Sequence, residues 1–174
     1  LLALALVATC ASAQSPSGVV INEFQYDDSG TDDREFVELY NFNTVAVDIS
    51  GWQLRAHDEA FPADNNADYT IPPLTILAPG GFWVLGAATV PGVNQIVGAT
   101  NLWENDNEVL VLVDPVGNVM DKVGYETNKV NPAIFPIQFI EGVGLYGNHQ
   151  SIDVAAGTHG AVSAWGRCHD RADT

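Results

Sequence analysis

The sequence predicts an all-β sandwich or barrel. Short runs of β-branched, aromatic and aliphatic residues recur between Gly, Pro, Asn and Asp clusters, and no segment keeps a 3.6-residue periodicity. A third observation orients the faces: in Glu35-Phe36-Val37-Glu38-Leu39-Tyr40, Val37 and Leu39 share one face while Glu38 and Tyr40 share the other. Strands are expected at 19–25, 35–41, 45–49 running on through 52–55, 69–77, 81–86, 109–114 and 119–125. The runs 81–86 and 109–113 are apolar on both faces, which suits central strands. A length of 174 residues fits one domain.

Connections are of two kinds. Compact turns are expected at 42–44, 78–80 and 115–117, and long acidic loops at 26–33, 57–68 and 87–108. If each strand crosses the sandwich once, the acidic loops share one pole; a break of the third strand at Ser50-Gly51 would void that count. With 6 Lys plus Arg against 22 Asp plus Glu, the net charge of −16 would repel phosphate backbones, so no nucleic-acid partner is expected.

Residues 1–13 are uncharged and apolar and close on Ala11-Ser12-Ala13, the pattern of a secretory signal peptide. The run is too short to span a bilayer, and without an initiating Met or a basic start it reads as truncated at its N-terminus. A polar linker, 14–18, leads to a sandwich placed at 19–146 and a C-terminal extension at 147–174, also read as truncated. Cys10 would leave with the leader, so Cys168 has no partner in the mature piece for a disulfide. A secreted or cell-surface location follows as an expectation.

Ordered motifs carry a family resemblance. Val20-Ile21-Asn22-Glu23-Phe24, then Asp33 through Glu38 to Asn41, then Asp48-Ile49-Ser50-Gly51-Trp52-Gln53-Leu54, resemble the opening strands of the lamin tail domains, especially their bacterial secreted members. Tyr69-Thr70-Ile71-Pro72, the Pro79-Gly80 turn before Gly81-Phe82-Trp83-Val84-Leu85, and 106–125 with Gly117 in its turn resemble the later strands. The tail, Arg167-x-x-Asp170-x-x-Asp173-Thr174, is similar to a run that precedes a further acidic stretch in bacterial relatives. The resemblance implies an immunoglobulin-like β-sandwich and an accessory, non-catalytic module. It assigns Asn22, Glu23, Glu38, Asn41, Gly51, Trp52, Pro79, Gly80 and Gly117 to the family's structural motif.

Familiar catalytic patterns are missing: no phosphate loop ending in Lys-Ser/Thr, no His-Glu-x-x-His, no Gly-x-Ser-x-Gly and no Cys-x-x-Cys. His149, His159 and His169 fall ten apart, which a metal site could tolerate, but without close ligand pairs the spacing reads as coincidence, and His57 reads as a loop residue. Hard cations take six to eight oxygen ligands, so Asp27, Asp28, Asp32 and Asp33 are candidate calcium ligands, although the spacing is not an EF-hand. Solvated loops explain the same acids without a metal. Trp52, Trp83, Phe36 and Phe82 read as core; Trp103, beside Glu104-Asn105-Asp106-Asn107, reads as an exposed indole able to stack on a sugar or partner. No cofactor other than calcium is expected. The leading expectation is an exported module that binds an unknown protein or surface component within a larger protein. The alternatives are an accessory domain of a secreted nuclease or phosphoesterase continuing beyond Thr174, and a calcium-dependent glycan or matrix binder.

Overall fold

A computed structural model of the chain describes residues 17–27, 31–57, 68–104 and 108–125, and the backbone of 165–166. In chain order the strands are β1 Val19–Gln25, β2 Phe36–Asn41, β3 Val47–Asp48, β4 Gln53–His57, β5 Tyr69–Thr70, β6 Ile76–Leu77, β7 Phe82–Ala87, β8 Gln95–Gly98, β9 Glu108–Val113, β10 Val119–Tyr125 and β11 Trp165–Gly166. One sheet orders β11-β1-β2-β7-β8, the second β10-β9-β4-β5, and β3 pairs β6 as a small third sheet. There is no helix among the described residues, and hence none long and apolar enough to cross a membrane. The predicted all-β sandwich is the fold observed.

Alternation builds the core. Ile21 and Phe24 of β1, Val37 and Leu39 of β2 and Leu85 of β7 pack with Leu54 and Ala56 of β4 and Leu110 and Leu112 of β9. Each such side chain contributes about 1.5–3 kcal/mol by leaving water. β7 and β9 are central strands, as their apolar runs predict. Phe82 departs from its expected place in the core: it is 45% exposed and stacks on Tyr40, its partner in register, at 4.8 Å.

Two predicted strands are each two strands. The 45–55 run breaks because Trp52 N donates to Ile49 O and Ser50 N to Asp48 Oδ1, closing a turn through Gly51 at φ +73°. That left-handed conformation costs glycine little and a side chain about 1 kcal/mol. The 69–77 run breaks at Pro72 and Pro73, which supply no ladder donors, so β5 pairs β4 and β6 pairs β3. Strand β8 was not expected. It lies parallel to β7 after the short connection 88–94, pinned where Asn94 Oδ1 accepts from Val84 N and Asn94 N donates to Val84 O.

The family-motif residues hold strand pairings and turns. Asn22 sits at a bulge in β1 and donates from Nδ2 to Glu38 Oε1 at 2.8 Å, while Glu23 lies opposite Glu38 in register. Beside the bulge, Asp121 Oδ2 of β10 accepts from Ile21 N at 2.6 Å, joining β1 of the first sheet to β10 of the second. Trp52 is buried in the core. At the pole of short turns, the buried Asn41 places Nδ2 2.9–3.1 Å from the carbonyls of Val45, Leu77 and Ala78, and accepts from Asn43 N at Oδ1. Gly80, in the Pro79-Gly80 turn, donates from its amide to Asn41 O, and Gly117 closes the β9–β10 turn by donating to Asp114 O.

Candidate functional site

The described strand ends that flank the acidic loops lie at one pole. Register places the end of β1 beside the start of β2 and the end of β7, and the end of β4 beside the start of β9, itself opposite the end of β10. The break at Ser50-Gly51 moves the chain between sheets, yet β4 still ends, at His57, opposite Val109. Tyr26 stacks on Tyr125 with ring centroids 4.1 Å apart, joining the sheets there.

Three of the four expected calcium ligands lie among the described residues. Asp27 and Asp32 are buried, Asp33 is half-buried, and Asp28 lies outside the described residues. Among the described residues, no three His, Cys, Asp or Glu side chains stand together so as to hold a metal. Backbone bonds fix the loop instead: Asn101 N donates to Asp32 O at 3.1 Å, and the Thr89 hydroxyl donates to Asp33 O. Trp103 corrects its expectation outright. It is 4% exposed and packs edge-on against Tyr69, so it has no free face for a sugar. His149, His159, His169, Cys10 and Cys168 lie outside the described residues.

Two carboxyls missed by the sequence reading dominate the pole. Glu35 and Glu108 are both 0% exposed. Glu35 Oε2 accepts from Leu102 N at 2.5 Å, while its Oε1 has no hydrogen-bond partner. Burial pushes this carboxyl up to about 8, the charges of Asp32 and Asp27 add to the rise, and the amides of Leu102 and Trp103 oppose it. Glu108 Oε2 accepts from Glu104 N at 2.5 Å and from the Tyr125 hydroxyl at 2.6 Å. Burial raises it to about 8 as well, against those two hydrogen bonds and with the charges of Glu104 and Glu35. Tyr125 is raised well above a free phenol by its own burial and then by Glu108; Tyr69 is raised by burial and by both carboxyls.

The alternation held the signal that finds them. Glu35 has the parity of the inward Val37 and Leu39, and Glu108 that of Leu110 and Leu112, so both acids begin the buried face of a strand.

No curated protein matches the chain. The family profile described as Lamin Tail Domain matches residues 12–127, the stretch that contains β1 through β10. With two thirds of its length under that match and the family's immunoglobulin-like sandwich in place, the chain belongs to the Lamin Tail Domain family.

Proposed function

We propose that this is a non-catalytic, exported lamin-tail module that binds a protein or surface component, acting as one part of a larger protein. The observation that carries the reading is the outer face of the β8 side of the first sheet. Phe82 stacks there on Tyr40, and Ile96, 62% exposed, stands on an edge strand with one free side among the described residues. Exposed apolar side chains beside an open strand edge suit a partner that adds contacts or a strand. Export rests on the apolar run 1–13 and its Ala-x-Ala close.

The two other readings have less support. A calcium-dependent glycan binder would need a free indole and acids grouped to hold a metal, whereas Trp103 is buried and no three of the described acids are so grouped. A hydrolase accessory shares the sandwich and differs in what is attached to it, since fold alone carries no chemistry.

The test is fractionation of the exported protein between medium and cell envelope, with its intact mass. Envelope-bound wild type, and release of Phe82→Asp/Ile96→Asp with unchanged melting, is the expected result. Equal partition of the two proteins would remove the binding reading. A mass far above that of this chain, with hydrolase activity co-purifying, would favour the accessory reading.

A further inference from the structure

We propose that the pole of short turns docks on a lipid surface: Val45, Leu74, Ile76, Val116 and Val119 enter the interface of a bilayer with zwitterionic headgroups, and the acidic pole faces away from it. This surface is separate from the binding face of β8, and the inference does not depend on the role proposed for that face.

Exposed apolar side chains are not spread evenly over the fold. Of the large ones exposed among the described residues, all but Ile96 lie at this one pole, on its turns or at the strand ends that flank them. Leu74 is 93% exposed and Val116 83%. Hydrogen bonds and packing hold the turns side by side. Thr75 N donates to Ser50 Oγ at 2.9 Å and Ile49 N to Thr75 O at 3.0 Å, a Cβ on Gly51 would meet Pro115 at 3.5 Å, and Asn41 Nδ2 joins the carbonyls of Val45 and Leu77.

Leu74 is the most telling of the five. Its φ of 66° lies in the left-handed region, which glycine and asparagine enter more readily than leucine. At 93% exposure, packing does not hold a leucine there either. A side chain that neither the backbone nor the core favours, and that projects into solvent, points to a contact outside the chain.

The chemistry of the pole selects the lipid. In residues 42–51, 71–81 and 114–119 the charged side chains are Asp48 and Asp114, with no Lys or Arg. Each carboxylate is held by amides of its own turn: Asp48 Oδ1 accepts from Ser50 N, and Asp114 Oδ1 from Val116 N and Asn118 N. An anionic surface finds no cation here and meets a net charge of −16, whereas a zwitterionic headgroup presents an ammonium complementary to the two carboxylates. Below that ammonium lies hydrocarbon for the apolar tips. Tips on separate turns suit a fluid phase that closes around each one, and insertion depends on buried apolar area. The turns are also set in advance, by Thr75 Oγ1 donating to Pro72 O and Gly117 N to Asp114 O, so little ordering opposes docking.

The test is cosedimentation of the purified exported protein with phosphatidylcholine vesicles in EDTA. Wild type should bind, and binding should persist at high salt. Leu74→Asn/Val116→Asn should lower the partition coefficient at least about tenfold. Its melting temperature should be unchanged or higher, since asparagine accepts the backbone of position 74. Ile96→Asp, away from this pole, should bind as wild type does. Wild type that stays in solution, or equal binding of the double variant, would overturn the proposal. Binding that requires anionic lipid and Ca²⁺ would overturn it as well, because it would bring the acidic pole to the bilayer. So would a dimer that the double variant abolishes with no vesicle binding, which would assign the tips to a second copy. If the double variant does not fold, methyl NMR of wild type on vesicles carrying a spin-labelled lipid decides. Broadening of Leu74 and Val116 ahead of Ile96 supports docking by this pole, and uniform broadening or Ile96 first overturns it.

Discussion

The two poles of the sandwich are closed by the same device with opposite chemistry. At the pole of short turns, one buried amide, Asn41, reaches carbonyls before β3 and at the end of β6 and accepts a turn amide in return. At the other pole, Glu35 and Glu108 reach the backbone of 102–104 in the same way. Asn41 can donate and accept with no charge, so its closure is indifferent to pH. A carboxylate only accepts, and once ionised it must be hydrated, paired or reprotonated. The comparison separates a permanent closure from a conditional one, even though both are made by polar side chains on the buried side of a strand.

The largest effect should come from pH. Glu108 is raised in the folded state, so its stabilisation is fully present below about 4.5 and is lost as pH rises through about 8. The domain should therefore lose stability between pH 5 and pH 8, by on the order of 3 kcal/mol from this group, with Glu35 acting in the same direction. Urea unfolding at three pH values measures it, and a flat or rising profile would break the comparison at its acidic end. Next, Asn41→Ala should cost about 2–3 kcal/mol at every pH, because it leaves carbonyls inside the fold without their donor. A pH-dependent loss there would show that the poles are not distinct. The smallest effect is Gly51→Ala, about 1 kcal/mol from the positive φ alone, since an added Cβ would meet Pro115 at an ordinary 3.5 Å. A larger cost by thermal melting would mean that the turn between β3 and β4 is more tightly packed than its contacts indicate.

Legibility in the sequence followed the range of the interaction. β1 and β10 have their expected bounds because alternation and turn residues are local signals. The prolines at 72 and 73 were equally local, and they mark the division of the 69–77 run. β8 was not legible: Gln95-Ile96-Val97-Gly98 is short, and a parallel neighbour normally needs a far longer crossover than 88–94. Trp103 misled because acidic neighbours in sequence imply water, whereas its neighbours in space include Tyr69. Glu35 could have been found from parity with Val37 and Leu39. Its partnership with the Leu102 amide could not, since the two residues are joined only by the closing of the sandwich.

The seam at Ile21 and Asp121 fixes how the module would carry load. β1 starts at the Asn41 pole, where Val19 lies opposite Asn41, and β10 ends at the other pole, where Tyr125 lies opposite Glu108. Between Val19 and Tyr125 the chain runs from one end of the sandwich to the other, and β11 pairs with β1 at Glu23 and Phe24, so a pull between Val19 and Tyr125 acts along the strands. Tension between Val19 and Tyr125 would slide β1 along β2 and β10 along β9, straining many ladder bonds together instead of peeling them in turn. The Asp121 to Ile21 bond crosses between those two strands and would resist their sliding apart.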